Sequence, residues 1–247
     1  MVEGRPVREV LLAYGAATLA CALAAHGLAA AGLEAFVSVA VGAILLFGAI
    51  HLAQRSGGLV RHGIDLGGLL SPPAEGDEAG PLGLFDLARV VRRGLGPAAR
   101  ELAVALGISA LIFPPFAAGY VAWFGLEGTF RLVPPPDLAA FALTQVVLVA
   151  LPEEAFFRGY VQTRLGDAWP AGRGILGAEV AFPVLILQAT LFALLHIVSE
   201  PVPSRLAVFF PALLFGWLRA RRGGIGAAVF FHAFCNLYSE VLARSLH

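Results

Sequence analysis

Long apolar runs alternate along this chain with short polar breaks. A helix needs about 20 mostly apolar residues to cross a bilayer. Seven candidate spans follow from the pattern: about Val10 to Ala30, Leu33 to Ala53, Glu101 to Phe124, a run starting near Leu138 that contains Leu151-Pro152-Glu153-Glu154, Val180 to Val198, the shorter Leu206 to Leu218, and Ile225 to Leu242. The pattern predicts an all-α, polytopic helical membrane protein of about seven transmembrane helices. The stretch Gln54 to Arg100 is the longest between spans. It holds the polar run Ser71-Pro72-Pro73-Ala74-Glu75-Gly76-Asp77-Glu78 and then a segment with Leu84, Leu87, Ala88, Val91 and Leu95 on one helical face. Arg89, Arg92 and Arg93 lie mostly off that face, which predicts an amphipathic helix on the inner membrane surface. Residues 1–100 read as a two-span region with this linker, and residues 101–247 as a membrane-embedded core. Arg5, Arg8, the first apolar run and the small residues Ala29 to Ala31 also resemble a secretory signal peptide. The run is long for one and a second span follows at once, so a retained span is the reading.

Composition agrees with this. Of 247 residues 58% are hydrophobic and 14% charged, with a mean hydropathy of +0.80; soluble domains carry about 25% charge. A soluble domain, a disordered chain and a nucleic-acid binder are excluded. Net charge is zero, and all seventeen basic residues are Arg. Without Lys there is no Schiff base and no P-loop. With the N-terminus inside, thirteen Arg fall in inner segments and three (Arg131, Arg205, Arg244) in outer ones, while Arg158 sits within the fourth span. The positive-inside rule then predicts a cytoplasmic N-terminus and an outer C-terminus. Cys21 and Cys235 lie in apolar stretches and suggest neither a disulfide framework nor a Cys metal site.

Charged residues inside a bilayer cost several kcal/mol and are functional candidates by default. They are Glu153, Glu154 and Arg158 on the fourth span, with His196 on the fifth and His232 and Asn236 on the seventh; His26, His51, Gln145 and Gln188 are weaker candidates. Glu154 and Arg158 are four apart and can pair on one helical face, whereas Glu153 points about 100° away and is left for chemistry. Pro152 withholds an amide and favours a kink. Phe192 and His196 share a face, as do His232 and Asn236. Two His, an Asn and a spare Glu supply a general base, a second proton-handling group and two oxyanion donors, which suffices for peptide hydrolysis by activated water. Zinc held by two His and a Glu is the alternative, although no H-E-x-x-H is present.

Glu153-Glu154-Ala155-Phe156-Phe157-Arg158 resembles the E-E-x-x-x-R of the CPBP family of intramembrane proteases, also called type II CAAX prenyl endopeptidases or bacteriocin-processing proteins. Phe192 to His196 resembles its F-x-x-x-H, and His232 to Asn236 its H-x-x-x-N. The connection from Leu214 to Ile225 resembles the family's FG…R-G segment, and the likeness covers about Leu138 to Leu242. It implies a glutamate-dependent intramembrane endopeptidase, with no cofactor expected and zinc the runner-up. Glu153 would activate water with help from His196, and His232 and Asn236 would stabilise the oxyanion. Glu154 and Arg158 would support the site and Phe192 would pack against it. The implied partners are the bilayer and a membrane-anchored protein or peptide. The Ala-, Gly- and Arg-rich composition looks bacterial, so the expected substrate is a bacteriocin leader or a C-terminal sorting signal, as in the exosortase-like and myxosortase-like branches. A non-catalytic immunity or scaffold protein of the same fold and a proton-coupled transporter are the competing classes. One geometric condition follows from the spans. Glu153, in the inner half of its span, must meet His196 near the outer end of the next, through a break at Pro152 or a fifth helix delayed by Pro183.

Overall fold

The computed structural model describes residues 4–64, 87–124, 130–171, 174–199 and 201–246. Eight helices carry them: α1 (Gly4–Ala30), α2 (Val37–Arg55), the short α3 (Leu59–His62), α4 (Leu87–Phe124), α5 (Leu138–Ala168), α6 (Phe182–Ser199), α7 (Phe209–Arg222) and α8 (Gly226–Ser245). Among the described residues there is no strand, only isolated bridges such as Phe130 to Leu246. The polytopic helical membrane architecture is therefore present. Five helices (α1, α2, α4, α5 and α6) are long and apolar enough to cross a membrane. The other two expected spans are helical too, but α7 has 14 residues, about 21 Å of rise against a hydrocarbon core of about 30 Å. Large apolar side chains stand exposed on the outside of the long helices, among them Leu12, Leu23, Phe47, Leu111 and Leu143. In water such a surface would be an association patch; in a bilayer it is the face that lipid covers.

α5 lies at the centre. It packs against α2 on one side and α8 on the other, with α1 against its C-terminal part, while α6 and α7 pair with each other and α7 with α8. α1 is built into this bundle. Val10 and Cys21 are fully buried, and Glu9 pairs with Arg164 at the far end of α5. Cleaving α1 as a signal peptide would strip a face from α2, α5 and α6.

Two boundaries differ from the hydropathy reading. The backbone is helical from Leu87 and continues without interruption through Gly94, Gly96 and Pro97 into the third span. The expected surface helix and that span are thus one element, which also crosses residue 100; residues 84–86 lie outside the described residues. α5 runs to Ala168, so Glu153 stands at its middle and not in an inner half. The polar residues beyond Val161 end the apolar run but not the helix. Their side chains find partners, as when Arg164 bonds both Glu9 and Asp167.

Candidate active site

Pro152 does not break α5. Leu151 and Glu154 keep right-handed helical dihedrals, and the winding changes instead. Gln145–Ala150 and Ala155–Val161 are π-helical, on either side of a single α-turn, Leu151–Glu154. Such wide turns tend to occur at functional sites. Pro152 has no amide to offer the carbonyl of Leu148, and α2 approaches that oxygen closely at Gly42, where a Cβ would come within 2.6 Å of it.

Glu154 is fully buried. Its Oε1 accepts a hydrogen bond from Arg158 Nη1 at 3.0 Å and faces His232 Nδ1 at 2.8 Å. The i, i+4 pairing expected from sequence is present, and an imidazole completes it. Arg158, also fully buried, donates from Nη2 to the carbonyl of Ala212 at 3.2 Å. Its guanidinium lies 4.3 Å from the ring centre of Phe192 and 5.0 Å from that of Phe215. Aromatic faces and a carbonyl thus supplement the carboxylate, which is what a buried ion pair needs to offset its desolvation.

Glu153 faces the other way. Its Oε2 lies 3.7 Å from His232 Nε2 and 3.9 Å from His196 Nε2. The atom is buried and accepts no direct hydrogen bond. The partners on the far side of each ring fix the tautomers. His196 Nδ1 is 2.9 Å from the carbonyl of Phe192, which can only accept, so this nitrogen carries the proton. His232 Nδ1 donates to the Glu154 carboxylate in the same way. Each ring therefore turns its Nε2 toward Glu153, as a lone pair when the ring is neutral and as an N–H donor when it is protonated. Glu153 Oε2 and the two Nε2 atoms converge at separations that suit a bridge through one water or substrate atom. Glu153 and Glu154 engage opposite edges of one imidazole, a sharing that the 100° offset did not suggest.

The depth condition is met by α6 beginning at Phe182 and by the central position of Glu153 in α5. Phe192 is buried, packs edge-on against Phe157 and lies 4.5 Å from the His196 ring. Phe215, which was not among the residues singled out from the sequence, stacks on His232 at 4.8 Å with an interplanar angle of 16°. The signal available was its place in the FG connection. Asn236 lies one turn beyond His232, and its Nδ2 donates to Gln145 Oε1 at 2.9 Å. Gln188 is structural, donating to the carbonyls of Leu185 and Ala212. His26 and His51 are exposed on helix surfaces and take no part. Both cysteines are free thiols.

The donors Glu153 Oε2, His196 Nε2 and His232 Nε2 can be tested against zinc. Tetrahedral bonds of about 2.0–2.2 Å place ligand atoms about 3.3 Å apart. The separations from Glu153 are wider, and among the described residues no group of three or more His, Cys, Asp or Glu has a metal-holding arrangement.

Fold and site together define a polytopic helical membrane protein with a buried carboxylate and imidazole centre. Residues 135–238 match the family model described as Type II CAAX prenyl endopeptidase Rce1-like, so this part of the chain is similar to that family, in agreement with the CPBP resemblance. The matched segment contains all three motifs and α5 through most of α8. That family is one of proteases. No curated protein and no solved structure matches the chain.

Proposed function

We propose that this protein is an intramembrane endopeptidase that hydrolyses a peptide bond of a membrane-anchored protein or peptide with water activated by Glu153. The observation that carries the proposal is the convergence of Glu153 Oε2, His196 Nε2 and His232 Nε2 inside the bundle. A water between them donates one proton to Glu153 as its oxygen attacks the scissile carbonyl carbon. His196, its Nδ1 tied to Phe192, holds the second hydrogen of that water and orients the attack. His232 enters the step protonated at both nitrogens, with Nδ1–H held by Glu154, and its Nε2–H donates a hydrogen bond to the developing oxyanion and stays on the ring throughout; the Asn236 amide is the second donor. Collapse of the intermediate breaks the C–N bond, and the proton on Glu153 passes to the leaving amine. One water is consumed and one carboxylate and one amine are formed. Glu154, Arg158 and Phe192 hold the geometry and touch no reacting atom.

The substrate is proposed to be a leader peptide or a C-terminal sorting signal. Its test is a comparison of membrane proteins, with intact termini mapped, between wild-type cells and cells carrying Glu153→Ala. A precursor that accumulates only in the variant supports the proposal and names the cleavage site. Identical termini in both argue for a non-catalytic immunity or scaffold role. Metal removal is a separate check. Cleavage by the purified protein is expected to persist after dialysis against a strong chelator, and loss restored by zinc would move Glu153 and the two His into a metal site.

A further inference from the structure

Asn236 is useful as an oxyanion donor only if its amide presents N–H, and not C=O, to the reacting carbonyl. A primary amide has two donors at one end and an acceptor at the other, and rotation about its last side-chain bond exchanges them. Something must fix the choice. In this structure Gln145 Oε1 accepts one Nδ2 hydrogen of Asn236 at 2.9 Å, across the interface of α5 and α8. Both side chains are partly buried. The bond commits the nitrogen end of Asn236 and leaves its second N–H to be donated elsewhere.

The winding of α5 explains how Gln145 comes to this place. It stands eight residues before Glu153, which ordinary α-winding would place about 80° from it around the axis; a spacing of seven would leave only about 20°. Gln145 is the first residue of the π-helical stretch Gln145–Ala150. A π-bulge takes one extra residue into a turn. Eight residues then span the angle that seven normally would, so Gln145 shares the Glu153 side of α5 and meets α8 one turn beyond His232.

We infer that Gln145 is a positioning residue for hydrolysis, which orients the Asn236 amide so that its free N–H faces the scissile carbonyl oxygen. The inference rests on the protease proposal above and adds a residue to it. Gln145 acts through Asn236, so its removal lowers the rate of the chemical step and leaves substrate affinity unchanged. A misaimed donor costs up to about 100-fold in rate.

The test uses the full-length protein in proteoliposomes. The probe is an internally quenched peptide spanning the cleavage site of a precursor that accumulates in Glu153→Ala membranes. Wild type, Glu153→Ala, Asn236→Ala, Gln145→Met, Gln145→Leu and the double variant Gln145→Met/Asn236→Ala are compared. Gln145→Met is expected to lower kcat by about 10- to 100-fold with KM within a factor of about two. The double variant is expected to be no slower than Asn236→Ala, because the two residues act through one donor. Wild-type kcat in Gln145→Met overturns the inference. So does an undiminished effect of Gln145→Met in the Asn236→Ala background, or failure of both Gln145 variants to fold, since either assigns Gln145 a structural role. Cleavage by Glu153→Ala at the wild-type rate is a different failure, that of the protease proposal itself.

Discussion

Two neighbouring glutamates do different work because their partners differ. Glu154 has Arg158 and His232 within hydrogen-bond reach and is fully buried; Glu153 faces the Nε2 atoms of two imidazoles and no guanidinium at hydrogen-bond range among the described residues. The neutral amide substitutions should therefore separate function from stability. Glu153→Gln is expected to abolish cleavage, by at least about 1000-fold, with thermal unfolding in detergent close to wild type. Glu154→Gln leaves the buried Arg158 without its counter-ion and is expected to cost about 3–5 kcal/mol in the same unfolding measurement. Equal stability losses in the two variants would contradict this division. The Glu154–Arg158 pair was legible in the sequence, since i, i+4 spacing on a helix determines it. The attachment of Glu154 to His232, the stacking of Phe215 and the proton positions on both rings were not. Each depends on which neighbours a helix meets across an interface, and no spacing along one helix encodes that.

At the scale of elements, the site depends on close helix approaches at glycine. A Cβ on Gly216 of α7 would come within 2.6 Å of Gln188 Nε2, 2.9 Å of Leu185 Cδ2 and 3.0 Å of Gln162 Oε1. Gln162 Nε2 donates to the Gly216 carbonyl, and Gln188 Nε2 and Arg158 share the carbonyl of Ala212 one turn earlier. Gly216→Ala is expected to destabilise the protein by about 1–3 kcal/mol, as overpacking does. It should also reduce cleavage, because the displaced Gln188 disturbs the carbonyl that holds Arg158. Gly48, inside α2 with open space around its Cβ position, is the control, and Gly48→Ala should lower neither stability nor cleavage. Hydrophobic periodicity made the existence of the long helices readable. It did not reveal that α4 runs through Gly94 and Pro97, where residues 95–100 are exposed, or that α5 reaches Ala168, where Glu9 and Arg61 engage its polar residues Arg164 and Asp167. The π-helical stretches have no side-chain signature at all. The proline at 152 was visible, but its consequence is a change of winding and not a kink.

Across the whole molecule, the helix ends that the Arg count assigned to the inner side are tied to one another. Glu9 pairs with Arg164, Arg61 with Asp167, and Arg222 with Glu101, while Arg219 Nη2 donates to the carbonyl of Arg61. At the opposite end Arg131 and Val133 bond to Ser245 near the C-terminus. The grouping read from charge alone is thus matched by contacts, which a count of residues per loop could anticipate because crossing helices alternate ends. Which end faces the cytoplasm is a prediction of the positive-inside rule. Val60 and Leu132 are exposed, one at each end. In a Cys21→Ser/Cys235→Ser background, Val60→Cys is expected to react with a membrane-impermeant maleimide only in inverted vesicles, and Leu132→Cys only in intact cells. The reverse pattern would invert the orientation.

The central claim is that Glu153 supplies the base for peptide hydrolysis inside the membrane. Its most direct measurement is cleavage of the accumulated precursor by purified full-length protein in proteoliposomes, wild type against Glu153→Ala, with product termini read by mass spectrometry. The predicted result is one new carboxyl and one new amino terminus with wild type, and intact precursor with Glu153→Ala at equal protein and equal thermal stability. Cleavage at the same bond by the Glu153→Ala protein would contradict the account.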